Sequence, residues 1–347
     1  MSFLLIATVI LVFVVIFQIA KSSEYVSVLK GEEKTRQQNN RINGFLMLAF
    51  LIVGLIGVYW CNSILYDKTL MPLTSASKEG EEIDRMLFIT LAITGFVFVL
   101  TQILLFYFVW KYQESEKNKA LFIPHNNTLE VIWTVIPAVA LLVLVVFGLK
   151  AWFHMTGEAP KDSIVVEITG KQFGWIYRYP GKDGQLGKTY FRNIDDGGNN
   201  PLGQLWDDPA NQDDIVETSE LHIPVNHPVK LIIHSRDVIH DVGLSQFRMK
   251  MDAVPGIPTT LWFTPQFTTE EMKKKTGNPD FVYEISCDQM CGPGHFGMRG
   301  VIVVDNEADY KKWLDKQAPN YYTVFPDKKP GAVKDTSKQV AAAVVKP

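Results

Sequence analysis

The chain has 347 residues, a formal net charge of -3 and only three cysteines. So weak a negative charge gives no electrostatic basis for binding nucleic acid. Three cysteines are too few for a fold held together by disulfides, and the close pair Cys287 and Cys291 is more typical of metal binding. The first half of the sequence is much more apolar than the second, which predicts two domains of different character.

Four apolar stretches in the first half predict membrane spans. They cover residues 3–20, 44–60, 86–110 and 129–152. About 20 apolar residues cross a bilayer, and aromatic edge residues such as Trp60, Trp110 and Trp152 are typical of membrane interfaces. The first stretch could instead be a cleaved signal peptide, but it lacks a basic leading segment and a clear small-residue cleavage site, which favours a retained helix. We therefore expect residues 1–152 to form a membrane anchor.

Basic residues in the short loops predict the orientation of these spans, because such loops stay on the inner side of the membrane. The segment after the first span carries Lys21, Lys30, Lys34, Arg36 and Arg41. The segment between the third and fourth spans carries Lys111, Lys117 and Lys119. The basic bias is smaller in the loop between the second and third spans. The chain beyond the last span therefore lies outside, whether the first helix is retained or cleaved.

After Trp152 the sequence changes to short runs of β-branched and aromatic residues separated by turn residues. These runs predict strands at residues 164–168, 175–179, 229–233, 260–263, 281–285 and 300–304. Short strands without intervening helices indicate a β-sandwich or barrel. We assign this all-β domain to residues 153–317.

Two polar segments interrupt or follow the β domain. Residues 181–215 form an insertion rich in Gly, Asn and Asp, and most such charge runs are solvated loops. The alternative is an acidic surface that attracts a basic partner over long range. Residues 318–347 are rich in Pro, Lys and Ala, a composition that predicts a flexible tail.

One short loop, residues 287–298, concentrates side chains that bind metals. Cys287, Cys291, His295 and Met298 follow one another in the pattern Cys-x3-Cys-x3-His-x2-Met. Thiolates, imidazole and a thioether together favour copper, whereas zinc takes Cys, His and carboxylates. A mononuclear blue-copper site needs one cysteine, so the second cysteine predicts two coppers bridged by two thiolates.

This pattern resembles the dinuclear CuA loop of cytochrome c oxidase subunit II. The resemblance implies transmembrane helices followed by a cupredoxin-like Greek-key β-barrel, and it implies one more histidine upstream of the loop. Residues 235–240 match the family's Ser-x-Asp-Val-x-His, and residues 252–256 resemble its Asp-Ala-Ile-Pro-Gly. The copper ligands implied by the resemblance are His240, Cys287, the backbone carbonyl of Gln289, Cys291, His295 and Met298.

Residues 130–137 resemble the opening of the second anchor helix of the same family. In the family, a glutamate at the position of Glu130 lies at the mouth of a proton-uptake path into subunit I. Membrane-edge carboxylates are often functional. An ordinary first-turn acid favoured by the helix dipole is the alternative, and the sequence leaves both interpretations open.

Residues 170–175 resemble the aromatic cluster that covers the copper site in the family, where Gln is followed by Trp-Tyr-Trp. Here Phe173 takes the place of the first tryptophan, the family's point of electron entry, and Trp175 is the remaining indole. A phenyl ring packs against a partner but lacks the indole N–H. We expect electron entry at Phe173, with Trp175 either taking part or serving as a core aromatic.

Gln289 marks a second departure from the family. A glutamate usually occupies this position, and its side chain helps to bind magnesium at the interface with subunit I. A neutral amide oxygen is a weaker ligand for a hard cation than a carboxylate. We therefore do not extend the magnesium site to this chain, although the backbone carbonyl of Gln289 keeps its implied role at copper.

The resemblance implies a subunit of a proton-pumping cytochrome c oxidase in the inner membrane of a bacterium. The copper domain faces the periplasm, accepts electrons from a c-type cytochrome and passes them to the haem and copper of subunit I, where oxygen is reduced. The chain relays electrons and does not catalyse alone. Its expected partners are subunit I, other oxidase subunits, the cytochrome donor and membrane lipid.

Two questions stay open at the level of sequence. The two leading spans depart from the common form of the family and predict either extra anchoring or a contact surface for additional subunits, up to a larger respiratory supercomplex. Three other functions compete: an electron-relay subunit of a related copper-containing respiratory complex, a quinol-oxidase-like subunit without copper, and a structural subunit in which the two cysteines form a disulfide.

Overall fold

A computed structural model describes residues 2–69, 74–114 and 121–330 of the chain. Within these ranges the chain divides into two compact units, one taken from residues 1–69 and 89–140 and the other from residues 70–88 and 141–347. The first unit is helical. The second contains all of the described β-structure together with the nearby ends of two long helices.

Among the described residues, four helices are long and apolar enough to cross a membrane. They are α1 (Ser2–Lys30), α2 (Glu32–Leu65), α3 (Lys78–Lys111) and α4 (Asn127–Thr156). Most of their described apolar side chains are exposed, as expected for side chains that contact lipid tails. The four predicted spans lie inside these helices, which extend further because polar turns continue the helical hydrogen bonding beyond the apolar core. Gly31, with a φ of 84°, separates α1 from α2.

The β domain consists of two five-stranded sheets. The strands are β1 (Ile164–Lys171), β2 (Gly174–Tyr179), β3 (Ile215–Glu217), β4 (Glu220–Pro224), β5 (Val229–Ser235), β6 (His240–Leu244), β7 (Met249–Ala253), β8 (Thr259–Phe263), β9 (Tyr283–Cys287) and β10 (Arg299–Asp305). Their order is β3-β2-β1-β5-β8 in one sheet and β4-β10-β9-β6-β7 in the other. The pairs β1–β5 and β10–β4 are parallel, and the other pairs are antiparallel.

A single apolar core joins the two sheets. Alternate residues of β5, namely Val229, Leu231 and Ile233, point into it, as the period of two in a strand requires. Tyr283 and Ile285 contribute from the opposite sheet. Burying one such aliphatic side chain stabilises a fold by roughly 1.5–3 kcal/mol, so this core is the main stabilising feature of the domain. The all-β prediction with a cupredoxin-like arrangement is confirmed.

The segment that precedes α3 belongs to the β domain. Ala76 donates its N–H to the carbonyl of Gln246 (2.9 Å) and accepts from the N–H of Gln266 (2.8 Å). The carboxylate of Glu79 accepts from the N–H of Thr264 at 2.8 Å. The segment from Ala76 to Glu79 therefore lies on the same side of the membrane as the β domain, which agrees with the orientation predicted from the basic loops.

The end of α4 also contacts the β domain. Ala151 and Met155 are part of the core, and the carbonyl of His154 accepts a hydrogen bond from the indole N–H of Trp262 at 2.8 Å. The predicted domain boundary at residue 152 thus falls inside a continuous helix. The prediction ended the span at the interfacial Trp152, whereas the helix continues because its final turn packs on strand β8.

The described part of the domain also contains three short α-helices: α5 (Thr269–Thr276), α6 (Glu307–Leu314) and α7 (Asn320–Val324). In α7 the N–H of Asn320 donates to the carbonyl of Asp214 at 2.9 Å, and its side-chain amide donates to Gln204 at 2.9 Å. The predicted start of a flexible tail at residue 318 is therefore too early, because residues 318–330 fold onto the insertion. The rest of the predicted tail, residues 331–347, lies outside the described residues.

Candidate metal centre

His240 stands at the start of β6 and its side chain is fully buried. Its Nε2 lies 2.8 Å from a carboxylate oxygen of Asp237, so Nε2 carries the proton and donates a hydrogen bond to that oxygen. The other ring nitrogen, Nδ1, is then an acceptor and faces Cys287 at 3.8 Å from Sγ. An outer carboxylate that fixes the tautomer of a histidine is typical of metal ligands.

Asp237 is itself held by backbone donors. The N–H of Gln172 donates to one oxygen (2.8 Å) and the N–H of Val238 to the other (2.7 Å). Burial works to raise the pKa of Asp237, but the hydrogen bonds from Gln172, His240 and Val238 outweigh it and hold the pKa below its ordinary value. Asp237 is therefore ionised and keeps the His240 ring in one orientation.

The strand register carries His240 towards the cysteine loop. Strands β6 and β9 are antiparallel neighbours in which Val242 is opposite Cys287. His240, two residues before Val242, therefore approaches the chain just after Cys287. The loop closes where the N–H of Cys287 donates to the carbonyl of Met298 at 3.2 Å. These contacts bring distant parts of the sequence to one buried point.

All six predicted ligands meet there. The thiol sulfurs of Cys287 and Cys291 are 3.8 Å apart, and Cys287 Sγ lies 3.2 Å from the carbonyl oxygen of Gln289. Cys291 Sγ lies 3.7 Å from His295 Nδ1 and 3.9 Å from Met298 Sδ. The ligand atoms of His240, Cys287 and Cys291 all lie within 4.8 Å of one another.

This donor set fits copper. Both cysteines and Met298 are buried, so the cluster offers three sulfur atoms shielded from water. Each thiol has its own imidazole nitrogen, His240 beside Cys287 and His295 beside Cys291. Sulfur and imidazole ligands suit copper, while hard cations prefer oxygen. The donor set therefore suits soft metal ions.

The thiol of Cys291 keeps its proton until a cation replaces it. Burial, together with the neighbouring Cys287, raises the pKa of Cys291 to about 11. Metal binding to cysteine requires the thiolate and releases the proton. Metal binding at Cys291 is therefore coupled to release of its thiol proton.

Phe173 lies directly on the cysteine loop. A Cβ atom added to Gly294 would lie 2.5 Å from the ring of Phe173, and one added to Gly292 would lie 3.1 Å from it. The ring therefore contacts backbone that only glycine leaves free, while 42% of the side chain stays exposed. Trp175, by contrast, is buried, and its ring centroid lies 6.1 Å from that of His240.

Glu130 lies in the helical unit and not in the metal cluster. Asn126 caps α4, because its side-chain oxygen accepts the N–H of Leu129 at 3.1 Å, and the carboxylate of Glu130 accepts the N–H of Asn126 at 3.3 Å. Glu130 thus has a local role at the helix start. Its predicted role in proton entry stays a prediction.

The acidic insertion is a folded element and not a solvated loop. Gln204, Asn211 and Asp214 are fully buried there. Asp214 contacts the guanidinium of Arg178 at 3.0 Å. Burial raises the pKa of Asp214 to about 6 although Arg178 opposes the shift. Asn, Gln and Asp side chains make hydrogen bonds to backbone groups of the insertion, so a polar composition is compatible with a compact structure here.

Most aspartates of the insertion are already engaged within the chain. Asp196 receives two hydrogen bonds from Arg236 (2.8 and 2.9 Å), and these keep the pKa of Asp196 below its ordinary value. Asp208 accepts the N–H groups of Lys188 and Ala210. Asp207 remains exposed. The insertion therefore offers less free negative charge to a basic partner than its sequence suggests.

The sequence did not predict the contact between Gln172 and the cysteine loop. Gln172 donates its side-chain N–H to the carbonyl oxygen of Cys291 at 2.5 Å. The two residues are 119 positions apart in the chain, so no local pattern shows the contact. The only signal in the sequence was the position of Gln172 immediately before Phe173.

Comparison with known proteins places the chain among respiratory oxidase subunits. Residues 67–151 match the family model described as cytochrome c oxidase subunit II, transmembrane domain, and residues 164–306 match that of its periplasmic domain. The alternative cytochrome c oxidase subunit 2 of Bradyrhizobium diazoefficiens is 39% identical over 236 residues, which cover 68% of this chain and 80% of that protein. Cytochrome c oxidase subunit 2 of Cereibacter sphaeroides is 27% identical over 255 residues, covering 72% and 80%.

Among solved structures, the periplasmic domain of subunit II of cytochrome oxidase (CoxB) of Bradyrhizobium japonicum is 24% identical. The alignment covers 46% of this chain and 95% of that chain, with a TM-score of 0.31. The candidate spans and the match to a periplasmic-domain family indicate a membrane protein with its β domain outside. The sequence matches and the assembled cysteine loop lead to one conclusion: the chain belongs to the cytochrome c oxidase subunit II family.

Proposed function

We propose that this chain is the electron-accepting subunit of a terminal cytochrome c oxidase. A dinuclear CuA centre would bind His240, Cys287, the carbonyl of Gln289, Cys291, His295 and Met298. The chain would take electrons from a c-type cytochrome and pass them to the haem and copper of subunit I, where oxygen is reduced and protons are pumped. Its place would be the inner membrane of a bacterium, with the copper domain in the periplasm.

The pairing of donors supports this function most directly. His240 and His295 approach different cysteines, at 3.8 and 3.7 Å, while the two sulfurs lie 3.8 Å apart between them. A single-copper site would need one thiolate and would leave the second cysteine without a purpose. Two equivalent sets of nitrogen and sulfur are what a pair of coppers requires.

The residues of the chain supply rigidity. When bound, the two coppers provide a one-electron carrier whose charge is spread over both thiolates. The cysteines are held between β9 and β10, and the His240 ring is fixed by Asp237. Because these donors are already in place, gain or loss of an electron moves few atoms, which favours rapid transfer. Such a cluster suits a relay, so bond chemistry on oxygen belongs to subunit I.

An exposed apolar surface around the loop supports docking of an electron donor. Phe173, Met290 and Phe296 are 42%, 74% and 86% exposed. Apolar and aromatic residues are enriched at the centre of protein interfaces. Of these three, Phe173 also contacts the loop at Gly292 and Gly294, so we propose it as the point of electron entry, with Trp175 as the aromatic next to His240.

The same proposal assigns Glu130 to the entry of protons from the inner side. The two leading helices would add anchoring or a contact with further subunits of a respiratory supercomplex. Magnesium is not part of the proposal, because Gln289 offers an exposed amide where a hard cation prefers a carboxylate.

Copper analysis of the purified oxidase complex tests this function. We expect two coppers in this subunit and their reduction by a c-type cytochrome. The variant Cys291→Ser should lose the copper pair, whereas Cys61→Ser, which changes an exposed cysteine of α2, should keep it. Wild-type subunit without copper would favour the quinol-oxidase-like or structural alternative and overturn the proposal.

A further inference from the structure

Gln172 contacts both halves of the metal cluster. Its side-chain amide donates to the carbonyl of Cys291 at 2.5 Å, on the loop between β9 and β10. Its backbone N–H donates to Asp237 at 2.8 Å, on the loop between β5 and β6. The first loop carries Cys291 and follows Cys287 at the end of β9, and the second leads into His240 at the start of β6; Gln172 itself lies in the turn between β1 and β2.

The second contact continues to a metal-binding nitrogen. One oxygen of Asp237 accepts from Gln172, and the other accepts from Nε2 of His240 at 2.8 Å. A chain of hydrogen bonds therefore runs from the carbonyl of Cys291 through Gln172 and Asp237 to the ring of His240. This chain of hydrogen bonds links Cys291 and His240 outside the cluster. Inside the cluster, the sulfur of Cys291 and the ring nitrogen of His240 face each other.

The neighbouring backbone leaves room for this amide. A Cβ atom at Gly292 would lie 3.0 Å from Nε2 of Gln172, and Gly292 has a φ of 134°, a conformation that other residues rarely adopt. The loop therefore turns where the amide of Gln172 reaches the carbonyl of Cys291. The hydrogen bond to Cys291 and the space left by Gly292 together indicate a specific contact of the Gln172 amide.

We propose that Gln172 is a positioning residue of the copper centre, which fixes the Cys291 half of the site relative to the His240 half. The inference rests on the proposed function, since it concerns the copper that function requires. Partners that orient ligands from outside typically change metal affinity or activity by about 10–100-fold when they are removed. Hydrogen bonds to the residues that bind a metal also tune its reduction potential.

If the side chain of Gln172 served only the fold, replacing it would leave the properties of the copper centre unchanged. Gln172 is an exposed turn residue, and its backbone N–H remains in any non-proline variant. Gln172→Leu removes only the side-chain donor, while Gln172→Glu keeps the shape and replaces the donor by an acceptor that faces the Cys291 carbonyl. Gln185→Leu changes an exposed glutamine of the insertion and is the matched control.

The test uses the intact oxidase complex carrying each variant. The measurements are the rate of copper release to a chelator, the spin-resonance spectrum of the copper centre and its midpoint potential. For Gln172→Leu and Gln172→Glu we expect copper release to be faster by about 10–100-fold, with an altered spectrum and a shifted potential. Gln185→Leu should match the wild type in all three.

Release rates within about twofold of the wild type, with unchanged spectra, in both Gln172 variants would overturn the inference. If a variant assembles without copper, its affinity is measured by titration with copper; an affinity equal to that of the wild type contradicts the inference and a weaker one supports it. A wild-type complex without copper would instead overturn the proposed function, so the two failures are distinguishable.

Discussion

Asp237 accepts a hydrogen bond from Nε2 of His240 at 2.8 Å and thereby turns Nδ1 of the ring towards the sulfur of Cys287. The carboxylate decides which nitrogen carries the proton, so it decides which nitrogen can bind metal. His240 is fully buried and has little freedom to choose another orientation. Asp237, three residues before His240, is therefore as much a part of the site as the ligand itself.

Replacing Asp237 tests this relationship. In Asp237→Leu the His240 ring loses its fixed tautomer, and we expect copper affinity to fall by about 10–100-fold. Asp237→Asn should fall less, because its side-chain oxygen still accepts from Nε2. Competition with a copper chelator measures both. Equal affinities in the wild type and the leucine variant would show that the ring is held by packing alone.

The raised pKa of Cys291 predicts how pH affects the copper-free chain. The thiol titrates near 9 in the unfolded chain and at about 11 in the folded one, so the folded state favours the protonated form. The stabilisation is complete below pH 9 and is lost as the pH rises through 11. We expect the free energy of unfolding of the copper-free chain to fall over that window.

Alkylation of the thiols at increasing pH gives a second measurement of the same shift. Cys291 should react slowly at pH 8 and faster towards pH 11, while the same thiol in the unfolded chain serves as the comparison. If Cys291 were as reactive as a free thiol at pH 8, the argument from burial would be wrong.

Arg178 is predicted to be essential for the stability of the insertion. Its guanidinium contacts Glu167 at 2.6 Å and Asp214 at 3.0 Å, and all three side chains are buried. Removing one partner of a buried ion pair costs about 3–5 kcal/mol because a charge is left uncompensated. We expect Arg178→Leu to lower the free energy of unfolding by about this amount. Arg192→Leu, at an exposed position of the insertion, is the control and should change it little.

The two interpretations of Glu130 are separable by one conservative substitution. Glu130→Gln keeps an oxygen that accepts the N–H of Asn126 but cannot carry a proton. If Glu130 receives protons, turnover of the oxidase should slow in this variant while its copper content stays unchanged. Turnover equal to that of the wild type would leave Glu130 with its role at the start of α4 only.

Sequence pattern predicted strands best where packing and propensity agree. The six predicted runs fall on β1, β2, β5, β8, β9 and β10, all rich in β-branched or aromatic residues. Strands β6 and β7 were missed because neither has a typical strand composition. Strand β6 carries His240, Asp241 and Gly243, and β7 alternates methionine with charged residues. Their pairing with β9 and with each other overrides weak intrinsic preference.

The ligands of the candidate site were predictable because their types and spacing resemble a known motif, but their supports were not. The contact of Gln172 with Cys291 and the engagement of Asp196 by Arg236 join residues far apart in sequence. Such contacts depend on the closed fold. The same limit explains the insertion, where composition indicates polarity but cannot show that Asn211 and Asp214 are buried.

Spin resonance of the oxidised subunit in the intact complex tests the central claim most directly. If Cys287 and Cys291 bridge two coppers, one unpaired electron is shared and the hyperfine pattern is that of two equivalent copper nuclei. The account predicts this pattern in the wild type and its loss in Cys291→Ser. A single-copper blue signal, or a subunit that contains no copper, would contradict it.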